Sequence, residues 1–303
     1  MNPILNEPLS RISLLGIYGA MAIYTVAFLV LALNLSRLAS EKKSVRESAS
    51  KPERIGIWLL WAAAALHSFG VVTRGISANR VPWANMYEFS ITGTLVAVLI
   101  FLAAQLVKRE VRFIATFVSG FVLLVLGLAT TAWYVQVKTL MPALQDYWLV
   151  IHVSVAILGT AFFNIAAAAS IAYLLKDAKF LAKPKNKVLA WGKRLLAMFP
   201  DSNRLERLAY RFNIIGFILW SFTLIAGAIW AERAWHRYWG WDTKEVWTFI
   251  IWTIYAGYLH ATATRGWSGK RAAWLSLIGF AAILFNFSIV NLYFKGLHVY
   301  SGL

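Results

Sequence analysis

Five histidines are the side chains of this sequence best suited to hold a metal, because the chain contains no cysteine. They are His67, His152, His236, His260 and His298. Without cysteine the chain has no disulfide, no thiolate ligand and no dithiol redox step of its own. Neutral imidazole is the commonest metal ligand that remains. Which of these histidines could share one metal depends on the elements that carry them.

A second candidate site is the polar segment 233–247, which is unusually rich in aromatic side chains. It contains four Trp and one Tyr, at Trp235, Tyr238, Trp239, Trp241 and Trp247. One or two Trp would indicate only an anchor at a membrane interface. Indole faces also stack on flat porphyrins, and Arg233, Arg237 and Lys244 could neutralise porphyrin propionates. The segment therefore suits haem, and an interfacial anchor is the alternative interpretation.

The composition indicates that the rest of the chain lies in a membrane. Of the 303 residues, 60% are hydrophobic and 14% are charged, and the mean hydropathy is +0.62. A water-soluble domain usually has about 25% charged residues, so this chain has too little polar surface to cover itself. The net charge of +17 resides mostly in short segments between apolar blocks. We therefore expect no nucleic-acid binding, since membrane topology explains the charge.

Eight apolar segments approach the length of about 20 residues that a membrane helix needs. We expect an all-α membrane protein with a single polytopic domain over residues 1–303. The first apolar segment is too long for a signal-peptide core and is interpreted as a retained helix. The predicted helices cover residues 12–35, 55–76, 85–107, 113–135, 147–175, 212–233, 246–263 and 273–294.

The positions of Lys and Arg predict how these helices are oriented. Segments 36–54 and 176–211, with the turns after the third and seventh helices, hold 22 of the 30 basic residues. With eight helices these segments all lie on one side, which the positive-inside rule identifies as the cytoplasm or stroma. Both termini, the loop 233–247 and the tail 295–303 are then extracytoplasmic. Segment 176–211 fits either an amphipathic helix on the inner membrane surface or a basic linker.

This topology sorts the histidines by depth. His152 lies near the outer end of the fifth helix and His298 just beyond the eighth, so the two could be opposite axial ligands of one haem iron. His260 lies about 20 Å inward along the seventh helix, at about 1.5 Å per residue. His67 has no assignable partner and is interpreted as a packing residue, and His236 belongs to the outer loop. Ionisable side chains within membrane helices otherwise indicate function.

Several motifs, in order along the chain, resemble those of one family. The run from Trp239 to Glu245, WGWDTKE, resembles the tryptophan-rich WWD signature of haem-handling proteins of cytochrome c maturation. The segments around His152, His260 and His298 resemble the histidine segments of the CcsA (ResC) family of the system II pathway. An upstream cluster resembles another outer segment of that family: Arg74, Pro82, Asn85, Tyr87 and Glu88. Three positions depart from the family pattern: His236 stands where the family usually has a small residue, Thr243 where it usually has proline, and Val299 where it more usually has serine.

The resemblance implies a subunit of a holocytochrome c synthase, or haem lyase, that holds haem b as substrate and bound ligand. His152 and His298 would ligate an outer haem, and His260 would bind haem within the membrane with a histidine of a second subunit. Seven loop residues would contact the outer haem: Arg233, Trp235, Arg237, Trp239, Trp241, Asp242 and Lys244. The chain would pass haem outward and present its vinyl groups for thioether attachment, while supplying no nucleophile itself.

The resemblance also implies partners and a location. The partners would be a CcsB (ResB)-type membrane subunit, apocytochrome c, a thioredoxin-like thiol reductant and the lipid bilayer. The location would be the bacterial cytoplasmic (inner) membrane, or the thylakoid membrane for a plastid-encoded chain. Three other functions stay open: a haem exporter or donor without ligase activity, a b-type cytochrome electron-transfer subunit, and a transporter of an unrelated solute.

Overall fold

The computed structural model of the chain describes residues 6–41, 50–107, 114–140, 144–178, 184–294 and 296–297. This part of the chain is helical and contains no strand. Its helices are α1 Glu7–Glu41, α2 Lys51–Ala78, α3 Met86–Val107, α4 Ala115–Thr131, α5 Trp148–Lys176, α6 Lys187–Ala197, α7 Ser202–Trp235, α8 Thr243–Thr264 and α9 Lys270–Phe285. A π-helical turn, Asn286–Val290, and a short helix, Asn291–Tyr293, extend α9. The predicted ligand His298 lies outside the described residues.

The predicted all-α membrane fold is confirmed. Each of the eight predicted segments coincides with one long helix, and the additional helix α6 falls in the segment that allowed an amphipathic helix. Six helices in the described part are long and apolar enough to cross a membrane: Glu7–Ala39, Lys51–Ala78, Met86–Leu106, Trp148–Lys176, Ser202–Trp235 and Lys270–Tyr293. The apolar helix α4 is shorter, with 17 residues, and α8 has 22 residues but is richer in Thr, Tyr and Trp. For these two helices a membrane crossing stays a prediction.

Contacts divide the described chain into two units, unit 1 over residues 6–140 and unit 2 over residues 144–297. Unit 1 contains α1 to α4, and its core is an antiparallel contact between α1 and α2. The Ser13 hydroxyl donates to the Gly70 carbonyl at 2.6 Å. A Cβ at Gly70 would lie 2.7 Å from Ile17 Cδ1, so the small residue lets the helices approach closely.

A buried ion pair ties the segments of unit 1 together. Arg74 in α2 is 1% exposed and Glu88 in α3 is fully buried, and Arg74 Nε lies 3.0 Å from Glu88 Oε1. The Arg74 guanidinium also donates to Ser10 Oγ at 3.1 Å and to the Val135 carbonyl at 2.9 Å. Arg80 places a second guanidinium on the Glu88 carboxylate. Two members of the upstream cluster that resembles the family, Arg74 and Glu88, therefore link the helices of unit 1.

Unit 2 contains α5 to α9 and packs around an aromatic stack. The rings of Phe163 in α5 and Tyr255 in α8 stack with centroids 3.7 Å apart and 13° between their planes. Trp220 of α7 packs on Phe163, and its indole N–H donates to the Thr248 carbonyl at 3.1 Å. A Cβ at Gly216 of α7 would lie 2.7 Å from Phe163, so glycine admits the ring. The stack holds together the three helices whose ends form the candidate site.

We expect Glu88→Gln to destabilise the protein strongly, because it leaves the Arg74 guanidinium buried without a compensating charge. Breaking a buried pair in this way typically costs about 3–5 kcal/mol. Thermal unfolding of the purified protein in detergent measures the effect. The matched control is Glu7→Gln, at an exposed position in the first turn of α1. Equal melting temperatures for the two variants would contradict the role of the ion pair.

Candidate functional site

The aromatic loop, residues 236–242, joins α7 to α8 and is closed by a capping box at the start of α8. Asp242 Oδ1 accepts the Lys244 N–H at 2.9 Å. The buried Glu245 carboxylate accepts the N–H groups of Gly240 at 2.7 Å and Asp242 at 3.1 Å through Oε2. The first amides of a helix lack partners within it, so these side chains satisfy them and define the path of the loop.

Trp241 is held in a backbone conformation that L residues rarely adopt. Its φ is 59°, and its side chain is 79% exposed. A strained backbone of this kind costs about 1–3 kcal/mol and persists only where the surroundings enforce it. Here the bonds to Gly240 and Asp242 anchor the chain on both sides of Trp241. Because strained residues cluster at functional sites, Trp241 is a candidate for ligand contact.

Two other Trp side chains of the segment pack within unit 2. The Trp239 ring meets Trp241 edge to face at 6.0 Å and Phe249 at 6.4 Å. The Trp247 ring packs on Phe285 with centroids 4.3 Å apart. Trp239 therefore packs between Trp241 and Phe249. Trp247 links α8 to α9.

His236 ends helix α7. Its φ is 54°, and its N–H donates to the Glu232 carbonyl at 2.7 Å, directly after Trp235, the last residue of α7. Left-handed positions at helix ends usually hold Gly or Asn. The departure at His236 from the family's small residue thus falls at a position where backbone conformation favours a small residue. His236 is exposed, and the structure gives it the role of helix termination.

His152 lies at the same end of unit 2 as the aromatic loop, which we call the loop end. Its ring centroid is 5.5 Å from that of Trp230, in the last turns of α7, with 60° between the planes. A Cβ at Gly227 would lie 2.9 Å from His152 Cε1 and 3.3 Å from Nδ1. Glycine at position 227 therefore leaves the space that the imidazole occupies.

Two guanidinium groups supply positive charge at the loop end. Arg233 pairs with Asp146 at 3.3 Å and lies over the Tyr147 ring at 5.1 Å. Arg237 donates to the Gly240 carbonyl at 3.4 Å, and it has no carboxylate partner in the described part of the chain. A Cβ at Gly240 would overlap the Arg237 guanidinium. Arg237 is thus the better placed of the two to bind an added carboxylate.

Lys244 points toward the end of α9. Its ammonium donates to the Asn286 carbonyl at 3.0 Å and to Asn291 Oδ1 at 2.9 Å. Asn291 in turn donates to the Phe287 carbonyl at 2.8 Å. These bonds straddle the π-helical turn, a feature that is frequent at functional sites. Contact between Lys244 and a bound ligand stays a prediction.

The chain after α9 returns to the aromatic loop. Asp242 Oδ2 accepts the Leu297 N–H at 2.7 Å, and a Cβ at Gly296 would overlap the Asp242 carboxylate. Leu297 directly precedes His298 in the sequence. The structure therefore brings the described residue next to His298 to the same end of unit 2 as His152.

The two remaining histidines differ in exposure. His260 is exposed near the end of α8 that is farthest from the aromatic loop. His67 is fully buried in unit 1, with Nδ1 3.4 Å from Tyr24 Oη, which supports its interpretation as a packing residue. Among the described side chains, no group of three or more His, Asp or Glu is arranged to hold a metal ion.

The sequence left three residues of the site without a role. Glu245 follows the cap Asp242 at capping-box spacing, so the pattern could have identified it. Asp146 stands in the segment that resembles the family's first outer histidine, yet nothing in its type indicated an ion pair with Arg233. Nothing in the sequence indicated a role for Gly227, because its role is to leave space for the His152 ring.

We expect Glu245→Ala to loosen the aromatic loop, because two amides lose their acceptor at about 1 kcal/mol each. Hydrogen exchange at Gly240 and Asp242, measured by mass spectrometry of loop peptides, should accelerate roughly tenfold or more. Glu245→Gln keeps an acceptor oxygen and should exchange nearly as slowly as the wild type. Unchanged exchange in the alanine variant would show that other contacts hold the loop.

The fold and the loop define a polytopic helical membrane protein with a capped aromatic loop and a histidine at the same end of unit 2. Residues 83–298 match the model of the cytochrome c assembly protein family. The chain belongs to this family, and the resemblance to CcsA is confirmed. The matched residues include the aromatic loop, His152, His260 and His298.

Curated relatives from diverse organisms are similar over most of the chain. The cytochrome c biogenesis protein CcsA of Cyanophora paradoxa is 33% identical over 268 residues, covering 76% of this chain and 82% of the relative. CcsA of Prochlorococcus marinus is 32% identical over 263 residues, covering 80% and 82%. CcsA of Oryza sativa is 32% identical over 262 residues, covering 77% and 81%.

The solved structure of the cytochrome c haem lyase CcmF has a similar fold. It matches with a TM-score of 0.58 and 16% sequence identity. The match covers 92% of this chain and 46% of CcmF, so this chain spans less than half the length of that protein. At this identity the likeness concerns the fold alone.

Proposed function

We propose that this chain acts in cytochrome c biogenesis as the haem-presenting subunit of a system II cytochrome c synthase. The observation that carries the proposal is Trp241, an exposed indole in a strained backbone conformation at the loop end of unit 2. His152 lies at that same end, and the described chain reaches Leu297 there. An aromatic surface beside an imidazole fits haem, which needs a flat contact and an axial nitrogen.

In the proposed outer site, His152 and His298 are the axial ligands of the haem iron. The packing of His152 against Trp230, with Gly227 leaving space, orients one imidazole. The bond from Leu297 to Asp242 supports delivery of the other imidazole to the same end. In this proposal Asp242 holds the segment that carries His298 through its bond to the Leu297 N–H.

The loop residues have complementary roles in this proposal. Trp241 stacks on the porphyrin and Trp235 contacts it, and Trp239 packs edge to face against Trp241. Arg237, which lacks a carboxylate partner among the described residues, binds a propionate, and Arg233 contributes beside Asp146. Charge-assisted bonds from guanidinium to carboxylate are strong and often bidentate. Lys244, whose side chain donates to Asn286 and Asn291, is the third basic residue at this end.

The reaction at the presented haem b needs no nucleophile from this chain. A cysteine thiol of apocytochrome c adds across each vinyl group, so that a C–S bond forms and the thiol proton goes to the other vinyl carbon. Nothing leaves, and the thiols are kept reduced by a thioredoxin-like partner. The contribution of this chain is to orient and protect haem, which agrees with its lack of cysteine.

The inner part of the proposed path uses His260. Its exposure on α8 leaves the imidazole accessible to another chain, as a ligand shared with a CcsB-type subunit requires. Haem would meet His260 first and the loop end later. The chain is a multi-pass membrane protein, and we propose the bacterial cytoplasmic membrane, or the thylakoid membrane in plastids, as its location.

For the outer site we expect His152→Ala and His298→Ala, co-expressed with the partner subunit, to lose outer haem and cytochrome c product. Removal of one axial imidazole should convert the remaining haem from low to high spin, and added imidazole should restore the low-spin spectrum. The control His236→Asn keeps a residue that tolerates the left-handed position. Wild-type haem content and product in both alanine variants would contradict outer ligation. Bound haem without product in the wild type would favour a haem donor over a synthase.

For the inner site we expect His260→Ala to lower the haem content of the purified complex, because haem loses its first protein ligand. Quantitative pyridine haemochrome measurement gives the content. Thr264→Ala, at the exposed position that ends α8, is the matched control and should load normally. Equal loading of the two variants would remove His260 from the path.

A further inference from the structure

Helix α6 stands apart from the other helices of unit 2 because none of its residues is buried. It spans Lys187–Ala197, between the end of α5 at Lys176 and the start of α7 at Ser202. Asn186 caps it by accepting the Leu189 N–H at 2.8 Å. Trp191 Nε1 and Arg194 Nε are shielded from solvent, but no residue of this short helix is fully buried, so packing on the protein leaves much of its apolar side uncovered.

The residues of α6 separate into two faces. At about 100° per residue, the apolar side chains occupy one continuous arc of the helix. They are Val188, Leu189, Trp191, Leu195 and Leu196. The basic side chains Lys187, Lys193 and Arg194 lie on the opposite arc. Val188, near the middle of the apolar arc, is 74% exposed.

Contacts hold α6 at one level of unit 2, the end opposite the aromatic loop. The Lys176 ammonium, at the last residue of α5, donates to the Phe199 carbonyl at 2.8 Å. Phe199 follows α6 and packs against a small cluster that includes Ala172 of α5 and Leu205 of α7. Helix α6 therefore lies between the end of α5 and the start of α7, two helices that are long and apolar enough to cross a membrane.

The charge of the segment around α6 is predominantly positive. Residues 176–211 contain ten Lys or Arg and three acidic residues. Each of the three carboxylates has a described partner outside α6. Asp177 pairs with Lys270, Asp201 caps α7, and Glu206 accepts the Gly269 N–H.

We propose that α6 lies in the headgroup layer of the membrane that α5 and α7 cross, and that it binds anionic phospholipid. Its apolar arc would enter the boundary of the acyl chains, and its basic arc would contact lipid phosphates. An amphipathic helix with cations on its polar face has the composition that binds such surfaces. Lipid binding by α6 does not involve haem, so its test is independent of the test of the proposed function.

The absence of native cysteine allows single labels on the full-length chain. Spin labels at Val188→Cys and Lys193→Cys report the apolar and basic arcs, and Ile171→Cys reports an exposed position on the membrane helix α5. The protein is reconstituted in phosphatidylcholine bilayers with or without phosphatidylglycerol. For each spin label, the rate of collision with oxygen, which dissolves in lipid, is compared with the rate of collision with a nickel chelate, which stays in water.

With phosphatidylglycerol present, the oxygen-to-nickel ratio at position 188 should exceed that at position 193 several-fold. Without it, or with Lys187, Lys193 and Arg194 all changed to Gln, the ratio at position 188 should fall. The label at position 171 should stay in lipid throughout, which shows that the membrane helices are intact. Equal, high nickel access at 188 and 193 would reveal a solvated linker and overturn the proposal. A label at 188 shielded from both reagents would assign the face to a protein partner, and a ratio indifferent to phosphatidylglycerol would refute anionic lipid binding.

Discussion

The carboxylate of Asp242 joins three parts of unit 2 that are distant in the sequence. One oxygen caps the first turn of α8, and the other accepts the Leu297 N–H in the chain after α9. Glu245 completes the junction by holding the amides of Gly240 and Asp242. The strained backbone of Trp241 between these amides can persist only because they are fixed. The aromatic loop, the start of α8 and the approach to His298 therefore depend on one pair of carboxylates.

The membrane explains why polar side chains in this protein are concentrated at a few positions. In hydrocarbon every buried polar group needs a partner within the protein. Unit 1 satisfies Arg74 through Glu88, Ser10 and a backbone carbonyl. In unit 2 the Lys244 ammonium at the end of α9 has two acceptors, Asn286 and Asn291. Arg74 and Lys244 are thus each held by partners within their own unit, and binding of a ligand by the Arg237 guanidinium stays a prediction.

Much of the fold was predictable because the thickness of the bilayer sets the length of apolar segments. Helix α7 begins earlier than predicted, at Ser202 and not at residue 212, because a helix can continue past the hydrocarbon through Arg204, Arg207 and Arg211. Asp201 could have predicted where α7 starts, because Asp is a favoured N-cap residue and its side chain accepts the Arg204 N–H. The π-helical turn after α9 had no signal, because an apolar pattern does not reveal one extra residue in a turn.

The sequence named candidate residues for the site, whose role in binding haem stays a prediction, and it indicated little of their geometry. Residue type and the family resemblance indicated His152 and the aromatic loop, because imidazole and indole have few equivalents in haem contacts. The left-handed backbone of Trp241 and the helix-ending role of His236 depend on local bonds that side-chain type does not encode. Likewise, the division between open Trp241 and packed Trp239 follows from contacts with Phe249 across the start of α8.

The central claim, that haem binds against the aromatic loop, is tested most directly by locating the iron relative to the loop. A spin label at Tyr238→Cys, an exposed loop position, is placed in the chain with its native histidines, and the same label in the His152→Ala background reports the signal that remains when the outer site loses a ligand. Ferric haem at the loop end should accelerate the relaxation of this label strongly, and removal of haem should abolish the effect. Identical relaxation with haem bound and with haem removed would contradict a haem site at the aromatic loop.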